Sequence, residues 1–228
     1  MTEREWLACT DPRRMLRFLS GVAGDRKLRL FTVACFKLLL SYLGDDRGEA
    51  VSEVLERHAE GSDGAGEFSA AHVAVGPARL AAQAPPFQKA VFEEVVWAAT
   101  QPSPFGAAWT TSGAVPYAIG RNASRRWEAQ KRASARAEQG EAALLRDLFG
   151  PLPLGRISIP PAVLAWQGGT AVKVAAAIYE GRRWEDMPLL GDALEDAGCT
   201  NPDLLGHLRG PGPHVRGCWA LDAILGKS

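Results

Sequence analysis

The chain has 228 residues, 46% of them hydrophobic and 23% charged, which is enough apolar content to bury a core in one large domain or two small ones. Lys+Arg and Asp+Glu both number 26, so the formal net charge is zero. No global field draws such a chain onto nucleic acid or an anionic membrane; either role needs a local patch.

The first residues, Thr2 to Trp6, are charged and lack an apolar core, so no secretory signal is visible. With that, the four cysteines (Cys9, Cys35, Cys199 and Cys218) are expected as free thiols in a soluble, cytoplasmic, bacterial-type protein. Val95 to Gly120 carries no formal charge, but Pro102, Pro104 and Pro116 and several polar residues break it, so no membrane span is expected.

Thr2 with Glu5 fits a capping box, and Asp11-Pro12 fits an N-cap followed by a proline in the first turn. Gly21 is the expected stop of that second helix. From Asp25, residues Leu28, Phe31, Cys35, Leu38, Leu39 and Tyr42 fall on one helical face, and Gly44 ends the element. Gly48 to Glu60 reads as a helix with Val51, Val54 and Leu55 inward, followed by a glycine-rich loop at 61–66. Helical spacing continues over 68–84, with a kink at Gly76-Pro77, and over Phe87 to Thr100. The stretch 101–123 resists assignment, and Pro116 argues against one continuous helix there.

Ser124 to Phe149 reads as a long charged helix. Its first half carries Arg125, Arg126, Lys131, Arg132 and Arg136 beside Trp127, but acidic residues follow, so a solvated face is expected and a nucleic-acid partner is not. Gly150-Pro151-Leu152-Pro153 marks a break, and 156–160 is the one short segment that suits an extended conformation. Helices follow over 171–181 after Thr170, over 188–197 up to Gly198, over 202–208 after Asn201, and over 215–225. No period repeats three times. The expected fold is therefore mainly α, an irregular multi-helix bundle or array, with a larger region at 1–149 and a smaller one at 150–228 that could share its core.

The segment from Cys199 to Cys218 gathers two Cys and two His, a chemically sensible set for tetrahedral zinc. His214 and Cys218 are four apart and would share one side of a helix. Against a metal stand the loose ligand spacing and the stiffening prolines Pro211 and Pro213 between the histidines. The expectation is no metal and no cofactor, with the thiols separated and packed with Trp219, Leu221 and Leu225. The same loop offers Arg209, His214 and Arg216 before a helix start, a combination suited to a carboxylate or phosphate. The alternative is that the arginines pair with Asp192, Glu195 or Asp196, or with backbone carbonyls.

No nucleophile elbow, His-Glu-x-x-His or dinucleotide fingerprint occurs, and Gly226-Lys227-Ser228 leaves no helix to follow it. No catalytic residue is assigned, and the balance is against an enzyme. The leading expectation is a helical interaction module with a protein partner, using Trp97, Phe105, Trp109 and Tyr117 as an aromatic surface. An anion- or ligand-binding protein using the C-terminal loop is the alternative, and a zinc-stabilised module the second.

Two sets of motifs carry a resemblance. One is Glu5-Trp-Leu-Ala-Cys-Thr-Asp-Pro12 continuing to Asp25-Arg-Lys-Leu-Arg-Leu-Phe31; the other runs from Leu144 to Gly150, through Leu189 to Cys199, to Arg209-Gly-Pro-Gly-Pro-His-Val-Arg-Gly-Cys-Trp219. Together they resemble a family of uncharacterised proteins expanded in planctomycete bacteria. The likeness covers the two ends and implies no particular activity. Relatives of that kind often carry more cysteines near Cys35 and a cysteine where this chain has Leu208, which weakens a shared-metal reading.

Overall fold

The computed structural model describes residues 1–43, 49–62, 103–151 and 157–227; the helices expected over 68–84 and 87–100, and Trp97 with them, lie outside the described residues. Among the described residues there are ten α-helices and no strand, so the fold is mainly α. They are α1 (Glu3–Ala8), α2 (Pro12–Leu19), α3 (Asp25–Leu43), α4 (Glu49–Ala59), α5 (Pro104–Ala123), α6 (Trp127–Phe149), α7 (Pro161–Gly181), α8 (Met187–Asp196), α9 (Pro202–Arg209) and α10 (Trp219–Leu225), with a 3-10 turn at Trp184–Asp186. Residues 157–160 have no regular structure. No helix of the described residues is long and apolar enough to cross a membrane.

Local chemistry sets most of the helix ends. The Thr2 backbone N–H donates to the Glu5 carboxylate at 2.8 Å and the Glu5 N–H to the Thr2 hydroxyl at 3.2 Å, a reciprocal capping box. Asp11 accepts the Arg14 N–H at 3.0 Å, and Asn201 accepts the Leu204 N–H at 3.0 Å. Gly198, at φ +90°, ends α8: its N–H donates to Glu195 and that of Cys199 to Leu194, satisfying two orphan carbonyls.

The chain divides into two compact units, one of Met1–Leu7 with Leu144–Ser228 and one of Ala8–Ala143, so α1 and α6 each contribute residues to both. In the second unit α3 packs against α4 and α5, and α2 against α5. The one-faced pattern expected of α3 proves too narrow. Leu30, Val33, Ala34, Phe36 and Leu40 are buried along with Leu28, Phe31, Cys35 and Leu39, whereas Tyr42 is exposed. A helix buried on most sides is a central one. Arg26 and Lys37 of α3 pair with Glu60 and Glu56 at 2.9 and 2.8 Å, clipping the chain through α4 antiparallel to it.

Two further sequence expectations are corrected here. Residues 104–123 form one helix with Pro116 inside it. Proline removes the N–H that would reach the Ser112 carbonyl and crowds that carbonyl, yet the helix continues with Pro116 buried. The Ser134 hydroxyl of α6 donates to the Pro116 carbonyl at 2.9 Å. Helix α6 begins at Trp127 rather than Ser124, because the Ser124 hydroxyl accepts the Arg126 N–H in a turn. The close approach of α5 and α6 depends on Gly120, where an added Cβ would lie 2.2 Å from Ser134 Oγ and 2.9 Å from the Gln130 carbonyl oxygen.

Glu141 is completely buried in this unit, and neither carboxyl oxygen has a hydrogen-bond partner of ordinary geometry among the described residues. Burial pushes its pKa well above the usual 4.5, against the opposing pull of the nearby Cys35 thiol and Arg13. A raised carboxyl favours folding at low pH, with its contribution fully present below the ordinary pKa and lost as pH rises through the folded value. Thermal unfolding should therefore show stability falling from about pH 4.5 upward, and Glu141→Gln should flatten that limb and raise stability at neutral pH.

Candidate metal centre

The first unit has its own core, in which Tyr179, Leu190, Leu194, Leu208, Cys199, Cys218 and Leu221 are buried together. Helix α7 packs on α8 and α10, and α8 on α9. Within α7, residues Trp166–Gly169 leave helical geometry, with Gln167, Gly168 and Gly169 all at positive φ. Trp6 is fully buried, and its indole N–H donates to the Gly150 carbonyl at 2.9 Å. This bond ties the first residues of the chain to the end of α6.

One turn before that end, Asp147 projects a carboxylate of which only 1% is exposed. The Val215 backbone N–H donates to its Oδ2 at 3.0 Å. Around Oδ1 gather His214 Nδ1 at 3.1 Å and His207 Nε2 at 3.2 Å, and His207 Nε2 is also 3.1 Å from Cys218 Sγ. All four donor atoms lie within 4.8 Å of one another. The rings of His207 and His214 are 5.0 Å apart and nearly perpendicular, and the Trp219 ring lies 4.9 Å from that of His207.

The loop brings these groups together by backbone means that periodicity does not reveal. His207 rides on α9, and His214 returns to it through a turn in which Gly212 takes φ +85°. An added Cβ at Gly212 would come within 3.0 Å of the His214 nitrogen. His214 and Cys218 do not share a helix, because α10 begins only at Trp219. They meet instead through a turn closed by the Cys218 N–H to the Val215 carbonyl, with Gly217 at φ +85°. Pro211 and Pro213 thus shape the path between the histidines rather than hold them apart. Cys199 belongs to the surrounding core and not to the cluster; Asp147, 52 residues earlier in the chain, takes the fourth place.

The proton arrangement is informative. His214 Nε2 faces the Gly210 carbonyl at 3.3 Å and can only donate to it. A neutral ring would then turn the lone pair of Nδ1 toward the Asp147 carboxylate. Either a second proton or a cation resolves that conflict. Burial pulls the His214 pKa down, but the hydrogen bond and charge of Asp147 and the Gly210 carbonyl outweigh it, and the net shift is upward. Burial likewise raises Asp147, and the hydrogen bonds and charges of the two histidines turn the net shift downward.

A Cys-His-Asp relay is a poor description of this geometry. Such a relay uses the two ring nitrogens for different partners, whereas His207 directs Nε2 at both Cys218 and Asp147. Cys218 is also fully buried. Donors converging on one point are the pattern of cation ligands.

The other residues singled out from sequence are placed as follows. Arg209 holds Asp192 at 2.7 Å and also Glu195, and Arg216 donates to the Tyr179 carbonyl at 3.3 Å with its guanidinium over the Tyr179 ring. Arg209, His214 and Arg216 therefore each contact a different protein group. In the second unit Phe105 and Trp109 stack with ring centres 6.1 Å apart and both are half-buried, while Tyr117 is 58% exposed. Arg125, Arg126, Lys131, Arg132 and Arg136 are exposed, as is Trp127. No family model, curated protein or solved structure matches the chain.

Trp6→Phe should keep the ring volume nearly filled but leave the buried Gly150 carbonyl without its donor. The expected loss is about 1–3 kcal/mol of unfolding free energy, measured by chemical denaturation at matched metal content.

Proposed function

We propose that the chain is a non-enzymatic helical module whose C-terminal unit is held closed by one zinc ion, bound by Asp147, His207, His214 and Cys218. The observation that supports this reading is the convergence of one carboxylate, two imidazoles and one thiol within 4.8 Å. Ligands at zinc distances of about 2.0–2.3 Å in a tetrahedron sit roughly 3.3–3.8 Å from one another, so small side-chain adjustments complete the set.

Charge supports it as well. A divalent cation with one carboxylate, one thiolate and two neutral imidazoles makes a neutral cluster, which a buried position favours. The mixed set of sulfur, nitrogen and oxygen donors suits zinc better than calcium or magnesium, which prefer oxygen. The supporting contacts have the form expected around a metal ligand. Gly210 accepts from the outer nitrogen of His214, leaving Nδ1 to bind, and Val215 N–H fixes the non-binding oxygen of Asp147. Four protein donors leave no open position, so the role is structural and not hydrolytic.

The module's purpose would be to present helical surface to a partner protein. The zinc would couple the fold of its C-terminal unit to metal supply. Purified protein should carry near one equivalent of zinc by elemental analysis. Cobalt substitution should give the visible absorption of a site with a single thiolate. Cys218→Ser, His207→Ala or Asp147→Asn should each lower affinity at least tenfold, and Cys199→Ser should not. With free zinc at about 1,000 times its dissociation constant, the gain in stability should be about 4 kcal/mol, removed by a chelator. Absence of binding by reconstituted wild-type protein, or an unchanged melting curve with chelator, would refute the reading.

A further inference from the structure

The second unit contains a cleft of about 670 Å³, independent of the metal reading, whose walls include Arg13 and Arg17 of α2, Trp109, Ser112 and Gly113 of α5, and Glu138 of α6. Both guanidiniums lie over the Trp109 ring, with carbons 5.2 and 5.7 Å from its centre. Cation–π attraction holds the two cations beside the ring, and their N–H groups can still donate. Among the described residues, the guanidinium of neither Arg13 nor Arg17 makes an ion pair or hydrogen bond, although Glu138 shares the cleft. Arg209 of the other unit, by contrast, is engaged by two carboxylates.

A second, independent feature marks the same wall. Ser112 is only 3% exposed, and among the described residues its hydroxyl has no hydrogen-bond partner. Native proteins rarely leave a buried hydroxyl without one, and an orphan lining a cleft suits a ligand's acceptor. The sequence also makes room for this arrangement. At Gly113 an added Cβ would lie 1.9 Å from a terminal nitrogen of Arg13, so only glycine lets that guanidinium press against α5. The remaining acids nearby are otherwise occupied or neutralised. Asp11 caps α2, and burial favours the protonated form of Glu141.

We propose that this cleft binds a small oxyanion, a carboxylate or a phosphate, with Arg13 and Arg17 donating to its oxygens and the Ser112 hydroxyl as a third donor. Two forked, ring-stacked cations at one site match the planar or tripodal oxygens of such groups better than a lysine would.

Calorimetric titration of the full chain at low ionic strength, with inorganic phosphate and malonate in separate experiments, tests this. One site with a dissociation constant of about 1 mM or tighter is expected for at least one probe. Phosphate alone would identify a phosphoryl ligand, malonate alone a carboxylate, and both a general oxyanion site. Arg13→Ala and Arg17→Ala should each weaken binding about tenfold or more, and Ser112→Ala about threefold. Gly113→Ala, which keeps every charge but displaces Arg13, should also weaken binding. Arg209→Ala should leave it unchanged. Amide and indole N–H chemical shifts of the wild-type chain give a readout that no variant's folding can confound, with perturbations expected at Trp109, Ser112 and Gly113. No heat and no shift with 10 mM of either probe would overturn the proposal, as would binding that survives the Arg13→Ala/Arg17→Ala double variant.

Discussion

A carboxylate taken out of water has to be paired, and in the first unit that constraint falls on Asp147. Its two oxygens divide the task. One accepts a backbone N–H from Val215 and so fixes the loop, while the other faces two imidazoles and lies near a thiol. The surroundings fit that demand. Gly212 and Gly217 turn the loop back, the Trp219 ring packs at a tilt against that of His207, and the same Trp219 ring lies against Gly150, where an added Cβ would approach to 3.3 Å. Gly150 in turn accepts from Trp6, so the first helix is secured within one short stretch of chain from the cluster.

Close helix contact imposes a different constraint on the second unit. At Gly120 a methyl group has no space against the backbone of α6, and at Gly113 one would have to displace the Arg13 guanidinium. Both glycines lie in a helix that also contains a proline, a composition that intrinsic propensity disfavours. Tertiary packing overrides the propensity because the gain from bringing helices together exceeds the loss of one hydrogen bond and some chain entropy. The buried Glu141 beside Cys35 opposes stability at neutral pH, since desolvation penalises its charged form.

The two readings of ligand chemistry rest on opposite states of the same residue types. In the C-terminal loop the cations are engaged by protein groups, Arg209 by acids and Arg216 by a carbonyl and a ring, and it is the histidines and thiol that converge. In the cleft the cations are stacked but not hydrogen-bonded to described residues, and a buried hydroxyl waits beside them. A count of arginines in a glycine-rich loop points to the first place for an anion; partner geometry points to the second.

Features set by neighbours along the chain were legible in the sequence by itself. The capping box at Thr2 and Glu5, the caps at Asp11 and Asn201, the stop at Gly198 and the mainly helical fold all depend on contacts within four or five residues. His207, His214 and Cys218 were visible as possible ligands because residue type alone limits what can bind a metal. Tertiary structure decided the rest. Asp147 stands 60 residues before His207, with no local pattern to join them, and it replaces Cys199 only because the end of α6 meets the loop in space. The same holds for the continuity of α5 through Pro116 and for the stacking of Arg13 and Arg17 on Trp109, about 90 residues away. Periodicity records which face of an element is apolar. It carries no information on which distant face will cover it, and that pairing determines which polar groups are buried, which find partners and which are left to bind something else.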